Sequence, residues 1–358
     1  MTNEYLFSLA RCFVLAGDPI SIIPFGNGHI NDTYAVTIDN HSVRYVLQRI
    51  NHLIFKEPVG LTENIVKVTS HIRRKLELQG TSDIDRKVMT PIPTHKGQYL
   101  VIDEDRNYWR VMLLIENSCT YETFNQPEQA YHAAKGFGCF QKMLQDFPGS
   151  DLIETIPGFH DTPSRLCNFV SVLNQDNFDR VKTCSDEVKY LLEQQSWADL
   201  LLGLNVPIRV THNDTKFNNV LLDKDTGEAL CVIDLDTVMP GLALYDFGDM
   251  VRTGTSPCDE DETDLSKVFC RSDMFAGLVE GFLSETSGFL TLDEKANLVN
   301  AGIVITYEQA IRFLGDYLNG DTYYKIQYPE HNLARAKTQI KLIKSILEQK
   351  EILDKYIK

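Results

Sequence analysis

Thr211-His212-Asn213-Asp214-Thr215-Lys216-Phe217-Asn218-Asn219 is the stretch on which the fold turns. It spells His-x-Asp-x-Lys-x-x-Asn between two short apolar runs, Ile208–Val210 and Val220–Leu222, so it is predicted to be a tight polar loop between strands. Phosphoryl transfer to a hydroxyl needs a carboxylate beside the nucleophile, a cation near the transferring group and an oxygen ligand for magnesium. Asp214, Lys216 and Asn219 can supply these three from one loop. The bland alternative is a polar turn with an Asx cap, because Asn and Asp favour turns in any case. The strand context and a second acidic site downstream weigh against it.

That second site is Cys231-Val232-Ile233-Asp234-Leu235-Asp236. An apolar strand, Leu230–Ile233, delivers two carboxylates at its end. They are expected to turn to opposite sides, one to metal and phosphates and the other to an acceptor. A solvated acidic turn is the competing reading. Asp246-Phe247-Gly248 spells the kinase Asp-Phe-Gly tripeptide but does not end the strand that follows the catalytic loop; Asp234 does. Asp246 is therefore expected to be a helix N-cap or a support for that loop.

Working outward, Gly26-Asn27-Gly28-His29-Ile30-Asn31 lies between Ser21–Phe25 and the alternating run Thr33–Ile38, where glycines let backbone amides approach phosphates. His29 is either a turn residue or a group leaning into the substrate cleft. Arg44–Ile50 is a further strand. Leu61, Ile65, Val68, Ile72 and Leu76 repeat at helical spacing up to Gly80. Tyr99–Ile102 and Tyr108–Ile115 form a hairpin around Asp103–Asn107. The remainder is predicted to be mostly helical, with Ala130–Leu144, Ile303–Leu314 and Leu333–Ile346 as its clearest helices. The expected architecture is α+β: a small antiparallel β-rich lobe with one helix, joined near Glu116 to a larger helical lobe.

The chain has 358 residues, long enough for two lobes. Its formal charge of −15 argues against nucleic-acid or anionic-membrane surfaces, which want clustered cations. The eight cysteines show no Cys-x-x-Cys pair or ligand-like spacing, so free thiols in a reducing, cytoplasmic compartment are expected. Glu4 and the helical spacing of Leu6, Leu9, Ala10, Phe13 and Val14 indicate an amphipathic helix rather than a leader, and no apolar run approaches membrane-spanning length. The acidic run Asp259–Glu262 is expected to be a solvated loop. Arg312, Asp316, Tyr317, Tyr323 and Tyr324 gather near the C-terminus. Arg312 and Asp316, four apart, either pair on a helix surface or join the tyrosines in recognising a sugar.

These stretches, together with Phe159-His160-Asp161-Thr162-Pro163, Arg312-Phe313-Leu314, Tyr328-Pro329-Glu330-His331-Asn332-Leu333 and Thr338-Gln339-Ile340-Lys341-Leu342, carry a family likeness. The sequence resembles the aminoglycoside phosphotransferase and choline kinase superfamily, which is similar in fold to the protein kinases. Within it the resemblance runs to the bacterial N-acetylhexosamine 1-kinases over nearly the whole chain. It implies a protein-kinase-like two-lobed fold, with residues 1–115 as the nucleotide-binding lobe and 116–358 as the catalytic and substrate-binding lobe. ATP is the implied co-substrate and Mg²⁺ the implied metal, with Asp214 as base, Lys216 near the γ-phosphate, and Asn219 with Asp234 on the metal. Gly26 and Gly28 would cover the nucleotide, Ile115 and Glu116 would offer backbone to adenine, and Gln48 would occupy the phosphate-binding position. His29, Asp214, Asp236, Arg312 and Tyr323 would hold the sugar. The implied partners are a small sugar and ATP alone, with no nucleic acid, membrane or obligate protein partner.

One departure stands out. Gln48 sits where protein kinases place the phosphate-binding lysine, and a neutral amide cannot neutralise a phosphate. Arg49 is expected to point to the other sheet face, and Glu63 is the candidate for the helix glutamate that would pair with the lysine. The expected reaction is phosphorylation of N-acetylglucosamine or N-acetylgalactosamine at the anomeric hydroxyl. Choline, homoserine or an aminoglycoside are alternative acceptors, though Arg312 disfavours a cation. A non-catalytic nucleotide-binding module is a further alternative. A sulfatase, suggested by Pro163-x-Arg165, is disfavoured because Asp161 cannot become formylglycine.

Overall fold

In the computed structural model, which describes residues 3–26, 30–39 and 41–357, the first lobe is built on alternating strands. Its elements are α1 (Asn3–Ala10), β1 (Pro19–Pro24), β2 (Asp32–Ile38), β3 (Arg44–Ile50), α2 (Pro58–Leu78), α3 (Ile84–Lys87), β4 (Pro91–Ile92), β5 (Val101–Ile102) and β6 (Tyr108–Leu113). The sheet runs β1-β2-β3-β6-β4, with β5 also on β6, and every pairing is antiparallel. Alternation sorts the two faces. Tyr45, Leu47, Trp109 and Val111 pack with Leu6 and Leu9 of α1, whereas Val46 and Met112 join the apolar stripe of α2. Gln48 and Arg110 lie in register on that second face, toward the other lobe. α2 starts at Pro58 and ends before Gly80, whose φ of +67° suits a residue without Cβ. The β5–β6 turn is held by Asp103, whose Oδ1 accepts from Asn107 N at 2.8 Å.

The second lobe holds β7 (Ser118–Cys119), α4 (Pro127–Met143), α5 (Thr162–Gln175), α6 (Ser185–Glu193), β8 (Arg209–Thr211), β9 (Val220–Asp223), β10 (Ala229–Val232), β11 (Met239–Gly241), α7 (Ala243–Gly254), α8 (Ser272–Thr286), α9 (Leu292–Ala296), α10 (Leu298–Leu318) and α11 (His331–Leu353). α10 is its axis; Ile303, Val304, Tyr307, Ala310 and Leu314 are fully buried there. α4 and α8 pack closely enough to need Gly281, where a Cβ would come within 2.1 Å of Tyr131 O. Two small β-ribbons set the site. β8 pairs with β11 (Thr211 opposite Met239) and β9 with β10 (Val220 opposite Val232), so the 212–219 loop lies beside the 233–238 turn.

The expected architecture is the one observed: a small antiparallel lobe and a larger helical one. β4, β7 and β11, two or three residues each, have no period to detect. α7 starts three residues before Asp246, the residue offered as its N-cap, and every residue from Ala243 to Val251 is buried. Pro163 and Arg165 lie in the first turn of α5, whose N-cap Asp161 accepts from Ser164 N at 3.0 Å; the sulfatase-like letters are a helix start. The acidic run is not merely solvated: Glu260 pairs with Arg252 and Asp261 with His331, tying the loop to α7 and α11. All eight cysteines are free, and among the described residues no helix is long and apolar enough to cross a membrane.

Candidate active site

The 212–219 loop is fastened from below by Asp246. Its carboxylate accepts from Asn213 N (2.7 Å), His212 N (3.1 Å) and Gln141 Nε2 (2.7 Å), and its own carbonyl accepts from Thr215 Oγ1 at 2.6 Å. The N-cap of α7 is Leu242, so of the two roles open to Asp246 it has the loop support. Asn213 has φ +66°, a left-handed conformation that Asn tolerates. A second support comes from the Phe159–Pro163 stretch. The His160 ring is hydrogen-bonded to Asn213 O (3.1 Å) and to Glu308 Oε1 on α10 (2.9 Å), while Thr162 Oγ1 donates to Glu308 Oε2 at 2.7 Å.

On this base Asp214 is part-exposed at the cleft. Its Oδ2 lies 3.2 Å from Lys216 Nζ and accepts from Asn219 Nδ2 at 3.1 Å, and Asn219 Nδ2 also donates to Asp214 O at 2.8 Å. Burial alone would raise the Asp214 carboxyl, but the charges of Lys216 and His212 outweigh it and hold it below the ordinary value. Lys216 is raised, chiefly by Asp214. Asp234 is pushed up to about 6, first by burial and then by the neighbouring Asp236, with Asp214 adding to it. Asp234 adopts φ 58°, ψ 56° and is followed by a 3-10 turn over Leu235–Thr237. The two carboxylates are therefore not sent to opposite sides: residues two apart in a strand share a face, β10 in any case stops at Val232, and the left-handed turn keeps both carboxylates close together.

The structure places Asp236 differently from a free acceptor ligand. It is 2% exposed, its Oδ2 accepts from Asn31 Nδ2 at 2.7 Å, and its Oδ1 lies 2.6 Å from Arg110 Nη1. Arg110 Nε donates to Gln48 Oε1 at 3.1 Å, and Gln48 Nε2 to Thr33 Oγ1 at 3.1 Å. Gln48 thus faces the cleft, while Arg49 turns away to pair with Asp32. Glu63 is exposed; its neighbour Asn64 points inward and binds Val238 O (3.1 Å) and both backbone groups of Ile153. Gly26 has φ +76°, the conformation for which glycine suits this turn, while Gly28 and His29 lie outside the described residues. At the junction of the lobes, Ile115 packs with Leu230 and Cys231, and Glu116 is clamped by Arg44 Nε and Nη2 at 2.8 and 2.7 Å. Ile115 O accepts from Ser118 Oγ, and Glu116 O from Arg86.

At the far end of the cleft Arg312 is ringed by Phe159, Tyr324 and Tyr323, its Cζ 5.4, 5.7 and 5.9 Å from their centroids, and its Nη1 donates to Gln309 Oε1. It does not pair with Asp316. That carboxylate instead accepts from the backbone N–H of Thr322, Tyr323 and Tyr324, each at 2.9 Å, and so shapes the tyrosine loop. Asp249, between these ends, pairs with Arg252 through Oδ1; its Oδ2 is buried without a hydrogen-bond partner.

Residues 21–266 match the phosphotransferase enzyme family. The chain belongs to this family. Solved structures with the same fold include a microcompartment-associated aminopropanol kinase (TM-score 0.61, 14% identity, 99% of each chain covered). A spectinomycin phosphotransferase in complex with ADP and spectinomycin gives 0.57 at 14%, covering 98% of this chain and 99% of that one. A choline kinase from Cryptosporidium parvum gives 0.56 at 13%, covering 99% and 98%.

For a phosphotransferase of this family the donor set suits a magnesium ion shared with phosphates. Among the described residues no group of three or more His, Cys, Asp or Glu forms a metal cage. Magnesium, however, takes few protein ligands where phosphates and water complete its shell. Asn219, with its amide N–H turned to Asp214, and Asp234, raised by burial and then by neighbouring carboxylates whose repulsion a cation would relieve, fit that limited role. Arg110, Asn64 and Asp249 are the cleft residues that sequence reasoning missed. For Arg110 the sequence shows only that it stands in the strand predicted after the Asp103–Asn107 turn; its place in the cleft follows from the register with β3.

Proposed function

We propose that the protein is an ATP- and magnesium-dependent kinase of a small hydroxylated molecule, and that the acceptor is an N-acetylhexosamine phosphorylated at its anomeric hydroxyl. The observation that carries the kinase reading is the grouping of Asp214, Lys216, Asn219 and Asp234 on two adjoining turns in a phosphotransferase-family chain. Residues 1–115 would hold the nucleotide and 116–358 the acceptor. Asp214, ionised at neutral pH, would orient the acceptor hydroxyl and take its proton at Oδ1, since Oδ2 is engaged by Lys216 and Asn219. Lys216, kept charged by Asp214, would lie beside the transferring phosphoryl. Magnesium on Asn219 and Asp234 would offset phosphate charge. The products are ADP and the sugar 1-phosphate.

Arg312 with its three aromatic neighbours supports the sugar. Planar donors and rings suit hydroxyl and acetamido oxygens, and a guanidinium disfavours a cationic acceptor. The unpartnered Asp249 Oδ2 supports a second reading, an alcohol bearing a protonated amine, such as aminopropanol, that can donate to it. A panel of N-acetylhexosamines, choline, aminopropanol, homoserine and an aminoglycoside, with ATP and magnesium, separates them. ADP and sugar 1-phosphate formed preferentially from a hexosamine is the expected result. An amino alcohol outperforming every hexosamine would replace the sugar, and no turnover with any acceptor would remove the kinase.

A further inference from the structure

A kinase site needs positive charge on the first-lobe side of the phosphates, and β3 presents Gln48 there. The adjoining strand carries the charge. Gln48 and Arg110 are register partners across β3 and β6, so their side chains leave the sheet on the same face. Arg110 is 1% exposed and reaches from the sheet to Asp236 on the turn that follows Asp234. The contact is unusual in kind. Arg110 Nη1 and Asp236 Oδ1 are 2.6 Å apart, yet neither atom has a hydrogen bond of good geometry. A guanidinium ordinarily meets a carboxylate along directed, often paired N–H bonds. Here the charges are matched but the donor is not spent. Gln48 holds the other end of Arg110 through Nε, leaving the guanidinium tip toward the metal turn. Asn31, just beyond the glycine turn, donates to the opposite oxygen of Asp236, so that carboxylate remains hydrogen-bonded if Arg110 departs.

We propose that Arg110 is the phosphate-binding cation of the first lobe, held on Asp236 in the free protein and transferred to the donor nucleotide's phosphates on binding. This rests on the kinase reading above. Gln48 is then the positioning residue that aims the guanidinium. Asp236 is a competitor for Arg110 rather than only an acceptor ligand.

The test is calorimetric binding of ATP, ADP and AMP to the whole chain in EDTA, so that magnesium and turnover play no part. Arg110→Gln should weaken ATP and ADP by about ten- to a hundredfold, the worth of a charged hydrogen bond, and leave AMP far less affected. Arg110→Lys should restore part of the loss. Asp236→Asn should tighten metal-free ADP, because it frees the guanidinium. If Arg110→Gln alone does not fold, the Arg110→Gln/Asp236→Asn pair removes both buried charges together and is compared with Asp236→Asn. Equal losses for AMP, ADP and ATP, no loss at all, or an Asp236→Asn that weakens ADP as Arg110→Gln does would overturn the assignment, while turnover by the wild-type protein in the acceptor panel with magnesium upheld the kinase. A wild-type protein that bound ADP only with magnesium restored would overturn the Arg110 assignment alone, and one that bound no adenine nucleotide in either condition would remove the kinase reading itself.

Discussion

Asp246→Ala is the sharpest probe of how the 212–219 loop is held. The carboxylate is fully buried and receives three N–H groups, from His212, Asn213 and Gln141. Truncation leaves all three donors without their partner in a site closed to water. A hydrogen bond to a charged group contributes about 1.5–3 kcal/mol, so the gross loss exceeds about 4 kcal/mol. Part is returned, because burial raises this carboxyl and the charge is itself costly to enclose. A net destabilisation of about 3–5 kcal/mol is expected, the usual consequence of breaking a buried charged contact. Urea unfolding followed by far-ultraviolet circular dichroism measures it. Turnover assayed where the variant is still folded should fall as well, because the backbone of Asn213 directly precedes Asp214. A loss of only about 1 kcal/mol, the size of a helix cap, with turnover intact would refute the reasoning.

Asp214→Asn should lower turnover by about 10²–10⁴ with nucleotide affinity nearly unchanged, as single-turnover kinetics and calorimetry would reveal. Asp234→Asn should abolish the strengthening of ADP binding by magnesium; persistence of that strengthening would move the metal elsewhere. Arg312→Ala should raise the sugar KM by roughly ten- to a hundredfold and leave that of ATP alone, and the reverse pattern would sink the sugar site. The His160–Glu308 pair carries a pH signature. Burial lowers His160, but Glu308 outweighs it and the net value is above 6.5, so its contribution is complete below 6.5 and fades as pH rises through the folded value. Glu308 is depressed below 4.5 despite burial, so its contribution is present above 4.5 and lost as pH falls. Urea midpoints should decline on the alkaline side, and His160→Gln/Glu308→Gln should lack that slope.

What the sequence disclosed was what lies close along the chain. Asp214, Lys216 and Asn219 share one loop, and Asp234 ends the next apolar strand, so spacing alone groups them. The apolar stripe of α2 and the Asp103–Asn107 turn were legible for the same reason. Partners set by tertiary pairing were not. Arg110 meets Gln48 across 62 residues through a strand register that no local pattern announces. Helical spacing offers Asp316 as a partner for Arg312, but the backbone of its own downstream loop presents three N–H groups and takes the carboxylate instead. Asn64 and Glu63 are adjacent letters, and only the packing of α2 decides which faces inward.

The handedness of the backbone at Asp234 has a consequence for mutational drift. At φ 58°, ψ 56° most residues pay roughly 1–2 kcal/mol, whereas Gly, Asn and Asp adopt this conformation readily. Of those three, only Asp carries a negative charge. The substitutions that keep the turn relaxed are thus the ones that discard the charge, and a lineage released from selection for activity can move to Asn at this position without loosening its structure. An Asn-bearing descendant would be a stable chain with a silent site, whereas Ala there would confound lost charge with a strained turn. Asn213, at φ +66° beside Asp214, imposes the same restriction on the other turn. The two turns therefore separate durability from activity, and inactive relatives of this protein should persist as folded proteins.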